Sequence, residues 1–174
     1  MIGETAKPII PNVAKPVVAV QTKQTCFASP IHAGIARKGC PVGFVNAMEY
    51  AEGGVIGSWK CANAADIVRL WIPAEVRIIG NCAFRACENL EEVEFENCGA
   101  GEPLSVGVMA FAACPKLTRV HLSERLVSLG DGAFRDCTML SQFSIPQPHG
   151  SIRLGGVHVF DNCPDKDVKT ARLV

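Results

Sequence analysis

The sequence predicts an α/β solenoid: a stack of short, similar coils with a parallel sheet on one face and short helical or 3₁₀ turns on the other. Three observations carry this expectation. Glycines recur at near-constant spacing, apolar residues keep a fixed phase to them, and a stretch of alternating polarity follows each one. The glycines are Gly57, Gly80, Gly107, Gly130 and Gly156, separated by 23, 27, 23 and 26 residues. A recurrence at that period marks repeat architectures, and these markers imply about five coils.

The columns justify each element in turn. Four residues after the markers stand Cys61, Phe84, Phe111, Phe134 and Phe160; seven after stand Ala64, Cys87, Cys114, Cys137 and Cys163. Ile67, Leu90, Leu117 and Leu140 come next, then Leu70, Val93, Val120 and Phe143, then Ile72, Phe95, Leu122 and Ile145. The last two columns lie two residues apart, as on one side of a strand. One such unit cannot bury its own apolar side, so neighbours must stack and share a core. The phenylalanine column then becomes an internal ladder, and truncating one ring to Ala is expected to cost about 3–5 kcal/mol.

The pattern G-x-x-A-F-x-x-C-x-x-L-x-x-V-x-hydrophobic resembles the BspA-like, or treponemal-type, leucine-rich repeat. Gly80-Asn81-Cys82-Ala83-Phe84-Arg85-Ala86-Cys87 and Gly130-Asp131-Gly132-Ala133-Phe134-Arg135-Asp136-Cys137 are the best copies. The resemblance covers residues 55–165 and implies a leucine-rich-repeat solenoid. The first copy departs from it at Cys61 and Ala64, and the last stops matching after Cys163, as end repeats do.

Outside the repeats, residues 1–25 read as an extended arm punctuated by Pro8, Pro11 and Pro16, because proline fixes φ and removes a donor. Residues 26–54 read as an N-terminal cap, with Phe44, Val45, Met48 and Ala51 on one side of a short helix that Gly53-Gly54 stops. Residues 166–174 are left as a C-terminal cap or tail. Inserts around 97–103 and 146–150 interrupt the period and are expected to form loops at strand ends.

Composition narrows the function. The 17 basic and 17 acidic side chains cancel, so no basic excess points to nucleic acid or to a membrane surface. No run reaches the roughly 18 apolar residues of a membrane-spanning helix. Met1-Ile2-Gly3-Glu4 lacks the basic start of a secretory signal, which leaves cytosolic, exported and processed chains all open. Nine cysteines occur without a C-x-x-C pair, so the common zinc and redox spacings are missing. Those of the repeat column read as packed thiols. Cys26 and Cys40 are the better-placed pair for a bridge if the chain is exported, and Cys98 lies on an insert.

His32, His121, His149 and His158 are scattered and form no metal or nucleophile motif. We therefore expect a binding protein, not an enzyme, with no cofactor and no metal. The candidate site is the outward side of the predicted strands. One row reads Arg69, Glu92, Arg119, Gln142 and the next Trp71, Glu94, His121, Ser144. Trp71 is the strongest candidate anchor, since exposed tryptophans dominate many interfaces. Arg69, Glu92 and Arg119 also fit a salt-bridge ladder that only solubilises the sheet. The expected partner is a protein ligand. The resemblance implies a host extracellular protein, because many similar proteins are surface or secreted adhesion proteins of bacteria and some protists. A cytoplasmic scaffold or homo-oligomer is the alternative.

Overall fold

The computed structural model describes residues 40–97, 102–144 and 152–164. The arm 1–25, the start of the cap, Cys26, Cys98 and the tail 166–174 lie outside them, as does most of each insert.

Among the described residues eleven short strands are arranged in two sheets. The first contains β1 (Val45–Asn46), β4 (Arg69–Ile72), β6 (Glu92–Phe95), β8 (Arg119–His121) and β10 (Gln142–Ser144), all parallel. Leu70, Val93, Val120 and Phe143 face one another in register, as the period requires. The second contains β2 (Ala51–Glu52), β3 (Val55–Ile56), β5 (Ile78–Ile79), β7 (Leu104–Val106), β9 (Leu126–Leu129) and β11 (Arg153–Leu154). Its pairs are parallel except β2 with β3, a hairpin across Gly53-Gly54.

Two expectations are corrected here. The sequence reading gave each coil one strand, whereas it has two. The signal for the second is the apolar residue directly before each marker: Ile56, Ile79, Val106 and Leu129, all buried. In the final coil Leu154-Gly155 takes this place, with the Gly155 N–H bonded to the Leu129 carbonyl at 2.8 Å, so the frame shifts by one residue relative to Gly156.

The helical turns are also absent, and among the described residues there is no α-helix. The α/β description therefore gives way to a β-solenoid of about four turns. The physical reason lies in the backbone of the third face. Trp59 and Asn63, Cys82 and Ala86, and Met109 and Ala113 all have φ between 52° and 61°. Left-handed residues every fourth position interrupt any α-helix. Successive N–H groups then alternate in direction. Lys60, Ala62 and Ala64 bond back to Gly57, Trp59 and Cys61, while Trp59, Cys61 and Asn63 bond across to Asn81, Ala83 and Arg85 at 2.8–3.0 Å. The turn segments thus form a third inter-coil ladder. The one described helical element is the 3₁₀ turn Ala47–Tyr50, shorter than the expected cap helix, with Asn46 accepting the Met48 N–H at 2.9 Å.

Gly80, Gly107 and Gly130 are required by this stacking, whereas an added Cβ at Gly57 meets nothing within 4 Å. A Cβ on Gly130 would lie 2.4 Å from both the Gly107 carbonyl carbon and the Val108 nitrogen, where no side chain fits.

Inside, Phe84, Phe111, Phe134 and Phe160 stack with centroids 5.3, 5.4 and 5.8 Å apart and nearly parallel planes. Tyr50 closes the near end edge-on to Phe84 at 6.3 Å. Phe143 meets Phe160 edge-on at 4.7 Å. The cysteine column packs beside the rings, fully buried from Cys87 to Cys137. At the corner between the sheets, Arg125 is 4% exposed. Its Nη1 donates to the carbonyls of Ala74 and Glu102 at 2.9 Å, bridging around the longer second coil.

Candidate protein-binding face

The outer side of the first sheet carries the predicted site residues, and strand alternation places them in two rows. Arg69, Glu92, Arg119 and Gln142 are neighbours across β4, β6, β8 and β10. Glu92 accepts from Arg119 Nη2 at 2.8 Å and lies 3.8 Å from Arg69 Nε. The Arg69 guanidinium also sits 6.0 Å from the Phe44 ring centroid. This row is an ion-pair ladder, and each exposed pair contributes only about 0–1 kcal/mol. Gln142 is exposed at its end.

The second row differs. Trp71, Glu94, His121 and Ser144 are in register, with Asn46 on the near side of Trp71. Trp71 is only 8% exposed, so it does not project as the free anchor that the sequence suggests. β1 adds a strand that the sequence reading did not place, which makes Trp71 an interior position of the sheet. His121 Nδ1 is 2.7 Å from Ser144 Oγ. The Glu94 carboxylate, between Trp71 and His121, makes no hydrogen bond or ion pair among the described residues. It is a half-buried carboxylate on a face where Glu92 already has two cations.

The sequence reading missed one prominent side chain. Trp59 is 55% exposed on the turn face, with the Arg85 guanidinium 5.6 Å from its ring centroid. Its position two residues after the first marker lies outside every inward column, and that signal was legible.

Three of the described thiols are raised above their ordinary range. The neighbouring Cys114 thiol and burial hold the Cys87 thiol far above the ordinary range. Cys137 does the same to Cys114, partly offset by Cys87 and reinforced by burial. Cys40 is a free thiol, raised by burial and by Glu49. Among the described residues no group of His, Cys, Asp and Glu is placed to hold a metal.

The described geometry is that of a family, and a family model decides which one. The BspA type leucine rich repeat region matches residues 55–172, in six copies. The chain belongs to the BspA-type leucine-rich-repeat family. Among curated proteins none matches it. A solved structure similar to this BspA-type chain is that of the pneumococcal vaccine antigen PcpA, at 18% identity and a TM-score of 0.47. The match covers 55% of this chain and 22% of that one, so the chain spans about a fifth of PcpA's length. No helix among the described residues is long and apolar enough to cross a membrane.

Proposed function

We propose that this BspA-type chain is a protein-recognition module and not an enzyme, and that it binds its ligand on the outer face of the first sheet. The contact residues are Arg69, Glu92, Glu94, Arg119, His121 and Gln142, with Trp71 as the floor beneath them. The supporting observation is Glu94. A carboxylate without a counter-charge, beside a ladder that is already neutralised, is the place where a basic residue of a partner gains most. The family makes a surface or secreted role in adhesion or host contact the leading reading, with an extracellular host protein as ligand.

The test is capture from the native organism and from its host, with the wild type beside Glu94→Lys and His121→Ala. A ligand retained by the wild type and lost by Glu94→Lys supports the reading. A ligand held equally by both variants excludes this face. A cytoplasmic scaffold or self-assembling subunit is the second reading, favoured by the free thiols of Cys40, Cys82, Cys87, Cys114 and Cys137. Light scattering separates the two, because self-assembly requires a dimer or larger species.

A further inference from the structure

The turn face carries a feature that the fold does not require. Trp59 holds φ at 61°, a conformation that bulky side chains rarely adopt. Its ring is mostly exposed and lies outside the apolar core. The same column continues with Cys82, Met109 and Gly132, and an Asn or Gly would satisfy this backbone better. Strain retained at an exposed aromatic without a packing return marks a contact residue.

The charge beside it is also uncommitted. The Arg85 guanidinium lies over the indole and makes no hydrogen bond or ion pair among the described residues, so its donors remain for a ligand. Two coils further along, Met109 and Arg135 repeat the arrangement. Met109 Cγ and Arg135 Cδ both lie within 3.8 Å of the space above Gly132. Among the described residues the Arg135 guanidinium has only a neighbouring carboxylate, Asp136, 3.6 Å away and equally exposed. The face thus presents two pairs of an apolar side chain and an arginine. At about 4.8 Å per coil the pairs are about 10 Å apart, which is about three residues of extended chain.

We propose that the turn face is a second binding surface, which takes an extended acidic segment of a protein partner. Carboxylates about three residues apart meet Arg85 and Arg135, and the apolar residues between them cover Trp59 and Met109. The surface is independent of the first sheet, since its side chains come from the turn segments.

The test uses the full chain and a synthetic Gly-Glu-Pro-Leu-Glu-Gly peptide blocked at both ends, followed by indole fluorescence. Trp71 is buried, so the exposed Trp59 carries the response. A saturable change is expected. It weakens about tenfold when both Glu of the peptide become Gln, and weakens likewise in Arg85→Gln and in Arg135→Gln. Peptide binding by Trp59→Asn, read by calorimetry, is lost, while its thermal midpoint stays at or above that of the wild type. Glu94→Lys, on the other face, leaves peptide binding unchanged. No saturable change with carboxylates two, three or four residues apart overturns the proposal. So does equal binding of a lysine counterpart, or a lowered midpoint in Trp59→Asn, which would make the indole a packing group.

Discussion

The Cys114 thiol donates to the carbonyl oxygen of Phe84, one coil earlier, at 3.3 Å. The same bond recurs from Cys87 to Cys61, Cys137 to Phe111 and Cys163 to Phe134, at 3.1–3.2 Å. The cysteine column therefore fills space beside the ring ladder and also ties each coil to the one before it. Alanine at 114 loses both volume and donor. We expect Cys114→Ala to lower stability by about 1–3 kcal/mol. Cys114→Val keeps the volume but not the donor and should be less affected. Urea unfolding of the two variants checks this: an unaffected Cys114→Val would mean that the thiol bond contributes nothing, and equal losses would mean that the volume does not matter.

The same thiols set a pH dependence. Both Cys87 and Cys114 are raised above the ordinary thiol value of 9.0, so the folded chain keeps these protons where the unfolded chain releases them. Their contribution is complete below pH 9 and declines as pH rises above it. Unfolding midpoints measured from pH 7 to 10.5 should fall above pH 9, and less steeply in a Cys87→Ala, Cys114→Ala double variant.

Glycines differ in what they tolerate. Gly130→Ala places a methyl group 2.4 Å from the backbone of the preceding coil. We expect a loss of about 3 kcal/mol or more, since neither ladder can separate there without breaking. Gly53, unlike Gly130, has positive φ, and nothing lies within 4 Å of an added Cβ. Gly53→Ala should cost about 1–2 kcal/mol, the conformational penalty alone. Thermal denaturation of the pair distinguishes crowding from backbone strain.

One column invites improvement. Ser58 Oγ accepts the Asn81 N–H at 3.2 Å, Asn81 Oδ1 accepts that of Val108 at 2.9 Å, and Asp131 Oδ1 accepts that of His158 at 3.2 Å. Val108 interrupts this run with an apolar side chain that is 41% exposed. Val108→Asn supplies an acceptor for the Asp131 N–H and should raise stability by about 0.5–1 kcal/mol. An unchanged or lowered thermal midpoint would show that the continuous run adds nothing.

The sequence by itself determined the stack: the inward phenylalanine and cysteine columns, the register that sets Arg69 beside Glu92 and Arg119, and the glycines at the close approaches. A period shared by every coil writes these contacts directly into residue spacing, because neighbouring copies meet at equivalent positions. Only the tertiary structure decided that Trp71 is covered and that the turn face carrying Trp59 is not helical. Trp71 became an interior position once β1 joined the sheet, and Trp59 emerged on a face that had been expected to be helical. That face depends on left-handed φ angles at Trp59, Cys82 and Met109, which residue types outside glycine and asparagine do not announce. The reach of Arg125 across two coils was equally hidden, since it answers an insert and not the period.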